Sequence, residues 1–151
     1  MTAKELDAAL TRHAAEARPG VYVTPRYRLR YFVWGEPGGV PVVFTHGLND
    51  VARSFVPVMA RLVDAGKRCI GYELPNGAGD GANLGMYRHR HYADDLASLL
   101  DHLGEPAADL FGSSFGSTVV LRTAIEHPTR VRRAVVQGGF ARRPLNWAER
   151  G

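Results

Sequence analysis

The chain has 151 residues, 45% hydrophobic and 23% charged, enough for one domain with its own core. No apolar run is long enough to cross a bilayer as a helix, and residues 1–20 mix acids with bases and lack the apolar block of a secretory signal. The net charge of +4 comes mainly from arginines that are scattered, with no nucleic-acid motif beside them, so the reading is a solvated basic surface with no nucleic-acid and no membrane partner.

In chain order, Thr2 and Glu5 form a capping box, and Leu6, Ala9, Leu10, Ala14 and Ala17 follow at helical spacing. This predicts an amphipathic helix within residues 1–20 that rests against the domain. Val21 to Trp34 reads as two strands broken near Thr24-Pro25. Tyr27, Leu29, Tyr31 and Val33 alternate there with Arg26, Arg28 and Arg30, which gives one wet face. Val40 to Thr45 is a continuous apolar run and reads as a strand buried on both faces. Ser54 is placed to cap a helix running to Asp64, with Pro57 in its first turn and Gly66 past its end.

Lys67 to Glu73 is the next strand. It carries Cys69, the single cysteine, read as a buried inert thiol compatible with a reducing cytoplasm. A glycine-rich loop, Pro75 to Gly85, precedes a second amphipathic helix marked by Tyr92, Leu96, Leu99, Leu100 and Leu103. Ala108 to Phe111 is a short strand. The helix after it, from Thr118 to Ile125, is apolar almost all round and should be well buried, and His127-Pro128 stops it. Val131 to Gln137 is the last strand. Strand and helix alternate from Val40 onward, so the expected fold is α/β, a mostly parallel twisted sheet with helices on both faces. The chain divides into the helix at 1–20, a core at 21–139, and the start of a lid or a disordered tail at 140–151.

The chemistry centres on Gly112-Ser113-Ser114-Phe115-Gly116, a G-x-S-x-G pattern between a strand and a helix. Such a turn lifts one hydroxyl clear of the sheet, which makes Ser114 the candidate nucleophile. Gly112 and Gly116 leave room for strand and helix to approach. The Phe115 N–H, at a helix N-terminus, is a candidate oxyanion donor. The second donor is expected after the buried strand at Val40 to Thr45, where His46-Gly47 bends the chain and offers the Leu48 N–H.

Phe44-Thr45-His46-Gly47, then Glu73-Leu74-Pro75 followed by glycines, then the G-x-S-x-G turn, resemble in their order the amino-terminal part of the α/β-hydrolase fold family. The likeness runs from about Tyr27 to Gly139. It implies a serine hydrolase acting on a small-molecule ester or related acyl compound, with no cofactor and no metal. By the same resemblance, serine in place of aspartate at the elbow disfavours dehalogenase-like and epoxide-opening chemistry. The family's triad continues with an acid and then a histidine beyond the elbow, but all six histidines here (13, 46, 89, 91, 102 and 127) precede Val131. Glu149 is the only acid after the last strand. Base and acid are therefore expected outside this chain, in a missing carboxy-terminal half or in a partner chain that also covers the edge strand 131–137.

The alternative is a non-catalytic, truncated hydrolase fold that serves as a binding or interaction module. Two lesser patterns carry the blander reading. His89 and His91 lack neighbouring ligands and read as exposed loop histidines, with only a remote prospect of approaching Ser114. Gly77 to Ala82 is a loose dinucleotide fingerprint with no helix to open, and reads as a loop.

Overall fold

A computed structural model describes residues 1–139. The capping box is present. The Thr2 hydroxyl accepts from the Glu5 N–H at 3.2 Å, the Glu5 carboxylate accepts from the Thr2 N–H at 2.6 Å, and together they start helix α1 (Ala3–Glu16). Strands β1 (Arg18–Val23) and β2 (Arg28–Trp34) then form an antiparallel hairpin. The Thr24 hydroxyl accepts from the Arg26 and Tyr27 amides and holds its turn. Pro19 costs nothing in β1, because β1 is an edge strand.

The remaining elements alternate as the sequence predicts: β3 (Val40–Thr45), α2 (Val56–Asp64), β4 (Lys67–Tyr72), α3 (His89–His102), β5 (Ala108–Ser113), α4 (Phe115–Glu126) and β6 (Val131–Gln137). The six strands lie in the order β1-β2-β4-β3-β5-β6. The β1–β2 and β2–β4 pairs are antiparallel, and the other three pairs are parallel. No described helix is long and apolar enough to cross a membrane.

Each face of the sheet has its own core. On one, Leu29, Val43, Ile70 and Leu110 pack against Leu96 and Leu99 of α3 and Val119 and Val120 of α4. On the other, Phe32, Trp34, Phe44 and Cys69 pack against Val56 and Met59 of α2, with Ala9 and Leu10 of α1 alongside. Burying these side chains is the main favourable term in folding, about 1.5–3 kcal/mol each. The same burial pushes the Cys69 thiol up to about 12, which suits the inert reading.

Four local expectations are corrected. Ser54 does not cap α2: a 3-10 helix (Ala52–Phe55) intervenes, and the Ser54 hydroxyl donates to Asp50 instead. His89 and His91 are not in a loop but in the first turn of α3, where His91 Nδ1 accepts the Arg88 N–H at 3.1 Å. Arg26 is not on the wet face of β2: it lies before that strand, with Nη2 2.6 Å from Asp95, which is 1% exposed and also accepts the Tyr87 hydroxyl at 2.8 Å. Ile125 is not buried but 70% exposed, because α4 is covered on one side only.

His13 is the only buried residue of α1 among those described. It sits edge-on to Phe32 and Trp34, with ring centroids 4.5 and 5.2 Å away, and both ring nitrogens lack a partner. Burial, aided by the Arg53 charge, holds its pKa below the ordinary 6.5. The folded state thus binds fewer protons than the unfolded state just below pH 6.5. The contribution of His13 to stability is therefore complete above that value and falls as the pH drops through it. Urea unfolding at pH 7.5 and pH 5 measures this, and His13→Phe should flatten the slope; an unchanged slope in that variant would place the cause elsewhere.

Candidate active site

The five-residue turn places Ser114 between β5 and α4. Its backbone has φ 51° and ψ −119°, a left-handed conformation that only glycine adopts without strain. Two hydrogen bonds hold this geometry to β6: Ser114 N–H donates to Gln137 O at 2.8 Å, and the wholly buried Ser117 hydroxyl lies 2.9 Å from Gly112 O and 3.0 Å from Gln137 O. The side chain of Ser114 is exposed, whereas Gly112 and Gly116 are buried. A Cβ on Gly116 would collide with the carbonyl oxygen of Thr45, and one on Gly112 with that of Gly116. The main chains of β3, β5 and α4 therefore touch directly, and both glycines are required for packing.

The loop after β3 reaches the same place. A Cβ on Gly47 would lie 3.2 Å from Ser114 Cβ and 3.7 Å from its Oγ. Among the described residues neither the Leu48 N–H nor the Phe115 N–H has an acceptor, and Phe115 is the first residue of α4. The structure thus brings Gly47 against Ser114, with Leu48 and Phe115 next to them along the chain and Gly116 seated on Thr45 and His46.

His46 is 5% exposed and turned inward. Its Nδ1 lies 2.7 Å from Gly47 O, while Nε2 accepts the Leu74 N–H at 3.0 Å and lies 3.2 Å from Glu73 Oε2. Burial opposes the charged form of this ring. The Glu73 carboxylate, the Gly47 carbonyl and Asp50 outweigh it, so its pKa is raised. With both nitrogens engaged and neither against Ser114, His46 braces the loop and is not placed to take a proton from the Ser114 hydroxyl. Glu73 completes the brace by accepting the Ala52 N–H on Oε1 at 3.1 Å.

Of the other histidines, His127 caps the far end of α4 and lies 2.8 Å from Asp94. His91 is engaged by the Arg88 amide. His89 is exposed, with its ring centroid 6.0 Å from that of Phe115, whose other neighbour is Tyr92 at 5.1 Å. No described group of acids, histidines or cysteine could hold a metal ion. Glu149 and the expected lid at 140–151 lie outside the described residues. The Ser117 anchor and the Glu73 contact were not foreseen. A serine three residues past Ser114 is the only hint of the first, and no local spacing signals the second.

A cavity of about 560 Å³ opens on the other side of the loop, walled by Gly47, Leu48, Glu73, Leu84, Arg30 and Arg53 among others. Ser114 is not part of its wall, and Gly47 stands between them.

A sequence profile of the alpha/beta hydrolase fold matches residues 40–149. The chain belongs to that family. It is 32% identical over 115 residues to a haloalkane dehalogenase of Mycolicibacterium paratuberculosis, covering 75% of this chain and 38% of that protein. It is 34% identical over 133 residues to a proline iminopeptidase of Xylella fastidiosa, covering 83% and 41%. The crystal structure of epoxide hydrolase A from Mycobacterium thermoresistibile superposes with a TM-score of 0.70 at 29% identity, covering 79% of this chain and 39% of that one. The chain thus spans about two fifths of the length of these relatives.

The backbone contact at Gly116 is open to test. Gly116→Val should cost at least about 3 kcal/mol, because the clash is with main chain that cannot swing aside. Thermal and urea unfolding measure it. A variant of wild-type stability would mean that β3 and α4 do not meet as described.

Proposed function

We propose that the protein is a serine hydrolase acting on an ester or related acyl compound, with Ser114 as nucleophile and the Leu48 and Phe115 amides as oxyanion donors. The observation that carries this reading is an exposed serine on a strained backbone, packed against Gly47, with the next amides along the two loops, those of Leu48 and Phe115, lacking acceptors. Strain of this kind costs about 1–3 kcal/mol and persists where function requires it. Serine at this position supports acyl transfer over the halide or epoxide chemistry named for two of the relatives.

In the proposed step, Ser114 Oγ bonds to the acyl carbonyl carbon as its proton passes to a general base. The carbonyl oxygen takes up the negative charge and is held by the two amides, an arrangement worth several kcal/mol. The carbon–oxygen bond to the leaving alcohol then breaks, and that alcohol takes the proton from the base. Water adds to the acyl group by the same route, releases the acid and restores the hydroxyl. The base and its orienting acid come from outside these residues, either from the part of the fold that this chain does not match in its relatives or from a partner chain. That no described histidine contacts Ser114 also supports the second reading, a binding module without turnover.

A fluorophosphonate separates the two. Ser114 should be labelled covalently, as read by mass spectrometry of the digested peptide, and Ser114→Ala should abolish both labelling and ester cleavage. An intact, folded protein that resists labelling would leave the module reading. The strain argument gives an independent outcome. Ser114→Gly should be inactive yet more stable than wild type by about 1 kcal/mol or more, measured by urea unfolding.

A further inference from the structure

We infer that the acyl substrate carries a second, anionic group, a carboxylate, which Arg30 and Arg53 hold in the cavity beside the Gly47-Leu48 loop. This rests on the serine-hydrolase reading above. The cavity of about 560 Å³ has room for such a chain, and Phe32, Leu48 and Leu84 give it apolar wall for methylene groups. Gly47 both lines this cavity and packs against Ser114, so the two places adjoin.

The two arginines are uncommitted. Arg12, Arg26, Arg68, Arg122 and Arg130 each pair with a carboxylate of the chain, but among the described residues Arg30 and Arg53 make no side-chain hydrogen bond or ion pair. The acids in the same wall are already occupied. Asp50 Oδ1 accepts the Val51 N–H at 2.8 Å and the Ser54 hydroxyl, and Glu73 faces the Ala52 N–H and His46. The main chain that carries each arginine is nevertheless held through Glu73. The Arg30 carbonyl accepts the Glu73 N–H at 2.9 Å, and Arg53 follows the Ala52 amide that Glu73 binds. A guanidinium is the side chain best matched to a planar carboxylate.

Length sets the substrate further. Between β2, which carries Arg30, and β5, which leads to Ser114, lie β4 and β3, so the separation is three strand spacings, about 14 Å. An extended arginine closes part of that gap, and a straight diacid chain the length of adipate closes the rest.

The test compares 4-nitrophenyl hemiadipate with neutral 4-nitrophenyl hexanoate in the full-length protein, following the release of nitrophenolate as Ser114 is acylated. The half-ester should have the higher kcat/KM by roughly tenfold or more. Arg30→Gln and Arg53→Gln should each pull that ratio toward unity, and added salt should lower it. Arg133→Gln, on the far edge strand, should keep it. Equal rates for the two esters, or a preference that survives both substitutions, would overturn the anionic substrate while leaving the serine hydrolase standing. Failure of both esters to acylate Ser114 would overturn the hydrolase reading, and this inference with it.

Discussion

The site depends on one contact between main chains: the Cα of Gly116 seated on the carbonyls of Thr45 and His46. Any side chain at that position would pry α4 off the end of β3. With glycine, the strand that ends in the His46-Gly47 loop and the helix that begins just past Ser114 share one wall. Gly112 repeats the device between β5 and α4. The strained backbone of Ser114 is then held from below by Gln137 and Ser117, so the energy stored in the turn is offset by packing and hydrogen bonds in its support.

The site is a meeting of two loops, and each loop is held by groups distant in sequence. The turn at Ser114 hangs on the last residue of β6. The His46-Gly47-Leu48 loop hangs on Glu73 and Leu74, beyond the end of β4, through His46. The charge of His46 matters here. The neutral ring can donate from Nδ1 to Gly47 O and accept the Leu74 amide on Nε2. The imidazolium loses that acceptor and turns its second N–H to Glu73. The raised pKa reflects the second arrangement, with the Glu73 carboxylate beside the ring favouring its charged form.

Much of this was legible in the order of residues. The period-two and period-3.6 apolar patterns, with glycine and proline as punctuation, located the strands and three of the helices within a few residues of their bounds. The Gly-x-Ser-x-Gly turn and the His-Gly bend marked the two loops, because both demand glycine for steric reasons that survive any context. Failures came where tertiary contacts overruled local signals. Ser54 carries good capping chemistry, yet Asp50 claims its hydroxyl. Arg26 fits an alternating wet face, yet a buried Asp95, 69 residues away, recruits it. Ile125 fits an apolar helix, yet nothing among the described residues covers its side. Pairings across the fold leave no spacing to count.

The attachment of the elbow to Gln137 has a consequence for how the protein matures. The turn's amide finds its acceptor only after β6 has added to β5, the last pairing in chain order among the described strands. A nascent polypeptide interrupted ahead of Gln137 would hold the sheet's centre but lack the tether that keeps the serine cocked. Among the described strands, this tether forms only after the central pairs β3–β4 and β3–β5 have the partners they need.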